Sequence, residues 1–239
     1  MSAPEREDGA PWRNFYGRRH GKKLRKGQAE LLETRLKDLA PPGIGWDENP
    51  ERKPLDLDAL FPGKREIWLE IGFGAGEHAI AQAERNPDIA LLACEPFING
   101  VAALLAKIET AGVTNLSVTR ADARDLMDVL PEGSIARAFL LYPDPWPKTR
   151  HHKRRFVNPD QMDMLARVMA SGAHLRVATD IADYVRHTLE VVDRDARFYW
   201  LAERPGDWRE PWEDWPGTRY EAKALREGRR PHYLTFCRV

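Results

Sequence analysis

Two cysteines in 239 residues, Cys94 and Cys237, lie far apart within apolar runs. That is too few for a disulfide framework or a thiolate zinc site, and it points to a reducing compartment. No apolar run approaches the roughly 18 residues that a membrane-spanning helix requires. The opening Met1-Ser2-Ala3-Pro4-Glu5-Arg6-Glu7-Asp8 carries acids with no apolar stretch behind it, so no secretory leader is expected. Net charge is also missing: 37 Lys and Arg balance 37 Asp and Glu, which removes a global basic excess as the sign of a polyanionic partner. The seven histidines show no metal-ligand spacing, and no internal repeat is visible. A soluble, cytoplasmic protein is expected, with no metal and no membrane attachment.

What is present is uneven. At 42% hydrophobic the chain can bury one substantial core, and its length fits one domain with additions. Between Arg13 and Lys26 stand seven Lys and Arg plus His20 without an acid, and Lys148 to Arg155 holds five Lys and Arg and two His, again without an acid. Two positive patches on an otherwise acidic molecule fit a phosphate backbone. Residues 1–30, polar and Gly- and Pro-punctuated before turning basic, read as a mobile N-terminal arm that orders on a partner. Residues 31–239 read as the folded domain. Leu31, Leu32, Leu36 and Leu39 recur at helical spacing until Ala40-Pro41-Pro42-Gly43 ends the helix.

From Ile67 onward, apolar runs of strand length alternate with longer helical segments, the pattern of a doubly wound α/β fold with a mostly parallel seven-stranded sheet. Strands are expected near 67–72, 89–95, 115–120, 135–142, 172–179, 197–202 and 233–238. Helices are expected near 76–86, 98–111, 158–171 and 181–194, with a short one after Asp122. The Trp- and Pro-rich stretch 200–231 is expected to cover one end of the sheet.

Gly72, Gly74 and Gly76 fall between the first strand and its helix, where bare backbone admits a ligand and the helix start offers free N–H donors. The spacing is G-x-G-x-G, and Glu77 stands where a dinucleotide fold would run on toward its third glycine. An acid there repels a pyrophosphate. A phosphate-free nucleoside cofactor fits better, and S-adenosylmethionine is such a molecule. Glu95 ends the second strand, placed to accept from a ribose diol, and Asp122 with Ala123 ends the third, placed to accept from the adenine amine. Glu70, an acid inside the first strand, is expected to line the cofactor cleft. Each acid alone is equally well read as a helix cap or structural group, and a single glycine turn as a tight connection. The glycine turn followed by acids at the next two strand ends is what favours a cofactor.

Downstream, Tyr142-Pro143-Asp144-Pro145-Trp146-Pro147-Lys148 sets one acid in a proline-stiffened loop at the carboxyl end of the fourth strand, directly before the basic run. With Leu69-Glu70-Ile71-Gly72-Phe73-Gly74, Ala178-Thr179-Asp180 and Thr218-Arg219-Tyr220-Glu221, this loop resembles the tRNA (guanine-N7)-methyltransferases, over roughly residues 12–239. The resemblance implies a class I, Rossmann-like, S-adenosylmethionine-dependent fold that methylates a guanine in the tRNA variable loop. By motif position it implies that Glu70, Glu95, Asp122 and Asp144 contact the cofactor and that Asp144 is also catalytic. Lys148, Asp180, Thr218, Arg219, Tyr220 and Glu221 are then substrate contacts.

Guanine N7 presents a lone pair and no proton, so its methylation needs alignment and a favourable field rather than a general base. One ionised carboxylate, Asp144, suffices to stabilise the positive charge that reaches the purine. Arg150, His151, His152, Lys153, Arg154 and Arg155 are expected to run along tRNA phosphates beside it. Trp146 reads either as a stacking platform for the base or as core packing. Asp180 reads either as a helix cap or as an acceptor for the Watson–Crick edge of guanine, and Arg219 as a partner of Glu221 or of a phosphate. Two other readings of the whole chain remain at this point: a non-catalytic RNA-binding protein on the same fold, and a nicotinamide-dependent oxidoreductase, which would want G-x-G-x-x-G. Monomer and homodimer are equally open.

Overall fold

The architecture comes from a computed structural model in which residues 13–239 are described. The part of the expected arm before Arg13 lies outside the described residues. Seven strands form one sheet: β1 (Glu66–Ile71), β2 (Ile89–Cys94), β3 (Leu116–Thr119), β4 (Ile135–Leu141), β5 (Met169–Thr179), β6 (Phe198–Trp200) and β7 (His232–Arg238). Their spatial order is β3-β2-β1-β4-β5-β7-β6. β7 runs antiparallel to both of its neighbours, and the other paired strands are parallel. The expected mostly parallel, seven-stranded sheet is what the chain forms.

The helices are α1 (Lys26–Thr34), α2 (Leu36–Leu39), α3 (Leu57–Leu60), α4 (Glu77–Arg85), α5 (Ile98–Ala111), α6 (Ala123–Asp128), α7 (Pro159–Val168), α8 (Ala182–Asp193), α9 (Gly206–Arg209) and α10 (Arg219–Arg226). A 3-10 turn spans Thr149–Arg154. The sheet separates two apolar cores. Leu126, Met162, Leu165 and Tyr184 from α6, α7 and α8 fill one side, and Ala79, Ala83, Leu104 and Leu105 from α4 and α5 fill the other.

Strand periodicity of two decides where β1 sends its side chains. Leu69 and Ile71 enter the first core and Trp68 the second. Glu70 therefore falls on the Trp68 side, under α4. Because β1 lies between β2 and β4, the chain's connections turn to opposite sides of the sheet there and leave a crevice at the carboxyl ends, the place where open α/β sheets bind ligands. The glycine turn after β1 and the proline loop after β4 both open into that crevice.

Three local expectations shift. The helix before β5 stops at Val168 rather than near residue 171, and β5 starts at Met169. The helix expected over Leu31–Leu39 begins at Lys26, inside the basic run. The stretch 200–231 holds α9 and α10 besides its tryptophans. Trp212 donates Nε1–H to Thr235 Oγ1 at 2.9 Å and Trp215 donates to Glu221 at 2.9 Å, so the segment is fastened along the antiparallel side of the sheet. Among the described residues no helix is long and apolar enough to cross a membrane.

Candidate active site

A cavity of about 510 Å³ opens at the crevice, with Gly72, Gly74, Glu95, Asp122, Asp144 and Tyr220 among its lining residues. Gly72 has φ +72°, a left-handed conformation that glycine adopts without strain. Nothing stands within 4 Å of where a Cβ on Gly72 would sit. Bare backbone therefore borders open space, the cradle that a nucleoside needs.

Glu95 is almost fully buried in the wall. Its Oε2 accepts from Gly74 N–H at 2.8 Å and its Oε1 from Phe97 N–H at 3.0 Å. The carboxylate is thus locked in orientation by main chain while each oxygen keeps a further lone pair for a hydroxyl donor. Burial raises the Glu95 carboxyl above its ordinary range, the two main-chain donors pull it back, and the charge of Asp144 adds to the rise. Asp144 itself is exposed at the cavity rim. Among the described residues no hydrogen bond or ion pair engages its side chain.

Asp122 lines the same cavity, but Arg124 engages its oxygens: Oδ1 accepts from the Arg124 backbone N–H at 3.0 Å and side-chain Nε–H at 2.9 Å, and Oδ2 accepts from Nη2–H at 2.6 Å. The capping role and cavity position therefore coincide in one residue. Ala123 follows as the first residue of α6 and also lines the cavity. Gly76 is the left-handed residue before α4.

Glu70 is not brought to the cavity. It is 1% exposed, and its Oε2 lies 2.7 Å from His78 Nδ1, with the His78 ring 4.6 Å from that of Phe139. The alternation of β1 turns this carboxylate under the glycine turn, where it supports α4. This corrects the expectation that it lines the cleft.

The loop after β4 carries two non-glycine residues at positive φ, Tyr142 at +50° and Trp146 at +42°. Such strain persists only where the surroundings over-determine it. Tyr142 N–H donates to Ala178 O at 2.7 Å. Trp146 is neither free nor in the core: it meets Tyr16 edge-on at 6.3 Å and His151 at 6.0 Å, and the Arg154 guanidinium sits 5.0 Å from its ring and 4.6 Å from that of Tyr16.

The basic run divides. Lys148, Arg150 and Lys153 are exposed, and His151, His152 and Arg154 are half-buried. Burial, followed by the neighbouring cation Arg154, lowers the pKa of the His151 imidazolium below its ordinary value. Arg155 is the exception: its side chain is 1% exposed, so it is not available to a phosphate backbone. This corrects its place in the expected RNA surface, because its charge is spent inside the fold on Asp183.

Among the later motif residues, Tyr220 reaches the cavity and stacks on Tyr142 at 6.3 Å, with the Arg219 guanidinium 5.1 Å from the Tyr220 ring. Thr218 caps α10 by accepting from Glu221 N–H at 3.1 Å. Glu221 accepts from Trp215 at 2.9 Å and from Tyr233 O–H. Asp180 pairs with Arg229 and does not line the cavity. The structure therefore brings together Glu95, Asp122, Ala123, Asp144 and Tyr220, and leaves Glu70, Asp180, Thr218 and Glu221 in supporting positions.

Sequence reasoning missed Asn14, Phe15, Tyr16 and Arg18, all of which line the cavity. Residues 14–18 form part of its wall, and the segment is fastened around them: Arg13 forks onto Asp128 at 2.6 and 2.8 Å, Ile98 N–H donates to Arg19 O at 3.0 Å, and Arg124 donates to Asn14 O at 2.9 Å. The aromatic pair Phe15-Tyr16 inside an otherwise cationic run was the available signal.

Similarity to known proteins falls in line with this geometry. The methyltransferase family model Methyltransf_4 matches residues 64–234. A tRNA (guanine-N(7)-)-methyltransferase of Ruegeria sp. (strain TM1040) is 60% identical, covering 99% of this chain and 92% of that protein. One of Ruegeria pomeroyi is 63% identical over 96% of each, and one of Chelativorans sp. is 49% identical over 99% and 98%. Among solved structures, the 16S rRNA methyltransferase KamB aligns over 77% of this chain and 93% of its own, with a TM-score of 0.58 at 18% identity. The aminoglycoside resistance methyltransferase NpmB1 aligns over 77% and 92%, with a TM-score of 0.52 at 17% identity. At such identities the structural likeness speaks for the fold.

Proposed function

This chain belongs to the tRNA (guanine-N(7)-)-methyltransferases, and from that premise we propose that the crevice between the glycine turn and the proline loop is where methyl donor and guanine meet, with Asp144 as the catalytic residue. Membership sets aside the oxidoreductase and the non-catalytic alternatives. The substrate is tRNA, and the guanine is one in its variable loop, acted on in the cytoplasm.

S-adenosylmethionine fits the crevice. The open space beside Gly72 admits the nucleoside against backbone, and the fixed Glu95 carboxylate offers acceptors for ribose hydroxyls. When bound, it supplies a methyl group already activated by a positive sulfur. The protein's own contribution is then position and field. The cavity wall orients the donor, and Asp144 holds a carboxylate at the rim. Because N7 carries no proton, no residue has to remove one, and His151 and His152 need not act as bases. As positive charge reaches the purine, an ionised Asp144 beside it stabilises that charge, and the same oxygens accept from guanine N–H groups. The exposed cations Lys148 and Arg150, with Arg18 on the cavity wall and the exposed Arg19, Lys22 and Lys23 that follow it in the chain, grip phosphates and bring the base to the acid.

The observation that carries this reading is that Asp144 stands unengaged among the described residues on the same cavity as the main-chain-locked Glu95. Asp144→Asn is expected to keep binding S-adenosylhomocysteine while methyl transfer to a tRNA transcript falls by about 10²-fold. Wild-type turnover in this variant refutes the role. A matching transcript without the variable-loop guanine is expected to accept no methyl group.

A further inference from the structure

The loop that carries Asp144 is poor in its own means of support. Pro143, Pro145 and Pro147 lack N–H groups, so the backbone there is rich in acceptors and short of donors. Tyr142 and Trp146, on either side of the acid, both hold left-handed φ values without being glycine. A strained, donor-poor loop needs a donor from outside to hold one shape.

Arg155 is that donor. Its Nε–H donates to Pro145 O at 2.9 Å, and Nη2 donates to the Asp183 carboxylate. Its guanidinium also lies 5.4 Å from the Tyr184 ring centroid. At 1% exposure an unpaired guanidinium would be very costly, so Asp183 is what makes its burial tolerable. Asp183 is anchored in turn by Arg186 and has His152 Nε2 at 3.7 Å. A continuous chain of contacts thus runs from the first turn of α8, through Asp183 and Arg155, to the carbonyl one residue beyond Asp144.

We infer that the buried Arg155, paired with the half-buried Asp183, is a positioning device for the catalytic loop, fixing Asp144 through the Pro145 carbonyl, and takes no part in binding tRNA phosphates. The inference rests on the proposed role of Asp144. The planar guanidinium matters because one rigid fork serves a carbonyl and a carboxylate at once, which an ammonium does not do. Proline stiffness limits the shapes open to the loop, and the fork selects one of them.

Two variants test this beside Asp144→Asn. Arg155→Lys keeps the charge and loses the fork. Arg155→Gln/Asp183→Asn removes both charges together, so neither is left unpaired if the single variant fails to fold. Each is measured for kcat and for KM toward tRNA, normalised to sites that bind S-adenosylhomocysteine, and for the slope of log tRNA affinity against log salt. Expected are a fall in kcat of about tenfold or more, a KM within about twofold and an unchanged slope. Combining Arg155→Lys with Asp144→Asn is expected to be no slower than Asp144→Asn alone, since the clamp acts only through that acid.

A salt slope reduced by about one with kcat intact makes Arg155 a phosphate contact and overturns the inference. Wild-type kcat in both variants while Asp144→Asn is slow removes the clamp and leaves the role of Asp144 standing. Wild-type kcat in Asp144→Asn removes both. Multiplying defects in the combined variant assign Arg155 a role independent of Asp144 and also overturn it.

Discussion

A single hydrogen atom in place of a side chain decides how closely α5 approaches the glycine turn after β1. A Cβ on Gly100 would lie 2.1 Å from the Gly74 carbonyl oxygen and 3.3 Å from Glu95 Cγ. Helix propensity argues the other way, since alanine in a helix interior is worth about 1 kcal/mol over glycine, an upper bound for Gly100 in the first turn of α5. The overlap wins because its partner is backbone, which cannot rotate aside. Gly100→Ala is therefore expected to destabilise the protein by about 1–3 kcal/mol, a fall of roughly 2–4 °C per kcal/mol in Tm for a chain of this size. Affinity for S-adenosylhomocysteine should fall as well, because both the turn and the Glu95 wall must shift. A stabilised variant in thermal unfolding means that α5 has room to spare.

Among the elements, α8 acts at a distance from the cavity through its first turn. The hydrogen bond from Arg155, with that from Arg186, holds the Asp183 carboxyl below the ordinary carboxylate range, and the charged groups facing it are Arg155, Arg186 and His152. A depressed carboxyl stabilises the fold above its unfolded value, near pH 4, and that contribution disappears as pH falls through the lower folded value. The difference in Tm between the parent protein and Asp183→Asn is therefore expected to be widest near neutrality and to close below about pH 4. A gap that stays constant across an acid series counts against this pairing.

The same scale shows what the amino-acid order can and cannot reveal. Strands β1, β2 and β4 were legible because buried parallel strands are short apolar runs between turn residues. The end of α7 was not, because Met169-Ala170 suits a helix as well as a strand. Helix α10 buries only Ala224, so it leaves no apolar stripe to read, and its start is marked only by the Thr218 cap. Of the site, Glu95 and Asp144 were legible from their positions at strand ends. Arg155 was legible as a charge but not as a buried one, since its partner Asp183 lies 28 residues along the chain. Glu70 was visible as an odd acid, but its destination depended on which face of β1 α4 would cover.

Across the whole molecule, zero net charge conceals an arranged surface. The runs around residues 18–26 and 148–153 are far apart in sequence, yet Arg18 from one and Lys153 from the other line one cavity, and the two segments are joined where Arg154 lies against Tyr16 and Trp146. Lys148→Ala and Arg150→Ala are each expected to weaken tRNA binding and to lessen the slope of log affinity against log salt by about one. Titrations at several sodium chloride concentrations measure it. A flat response in the parent protein removes the phosphate-gripping role.

The reversed strand β7 sits between β5 and β6 rather than at the rim of the sheet. During synthesis, β6 emerges with no strand to lie against, and the flank of β5 stays open until the seven residues His232–Arg238 leave the ribosome. A nascent chain halted before them would carry bare peptide edges, the kind of surface that invites pairing with other chains. Assembly of the sheet therefore waits for translation of its seventh strand, and premature stop codons upstream of His232 should yield insoluble product rather than a shortened enzyme.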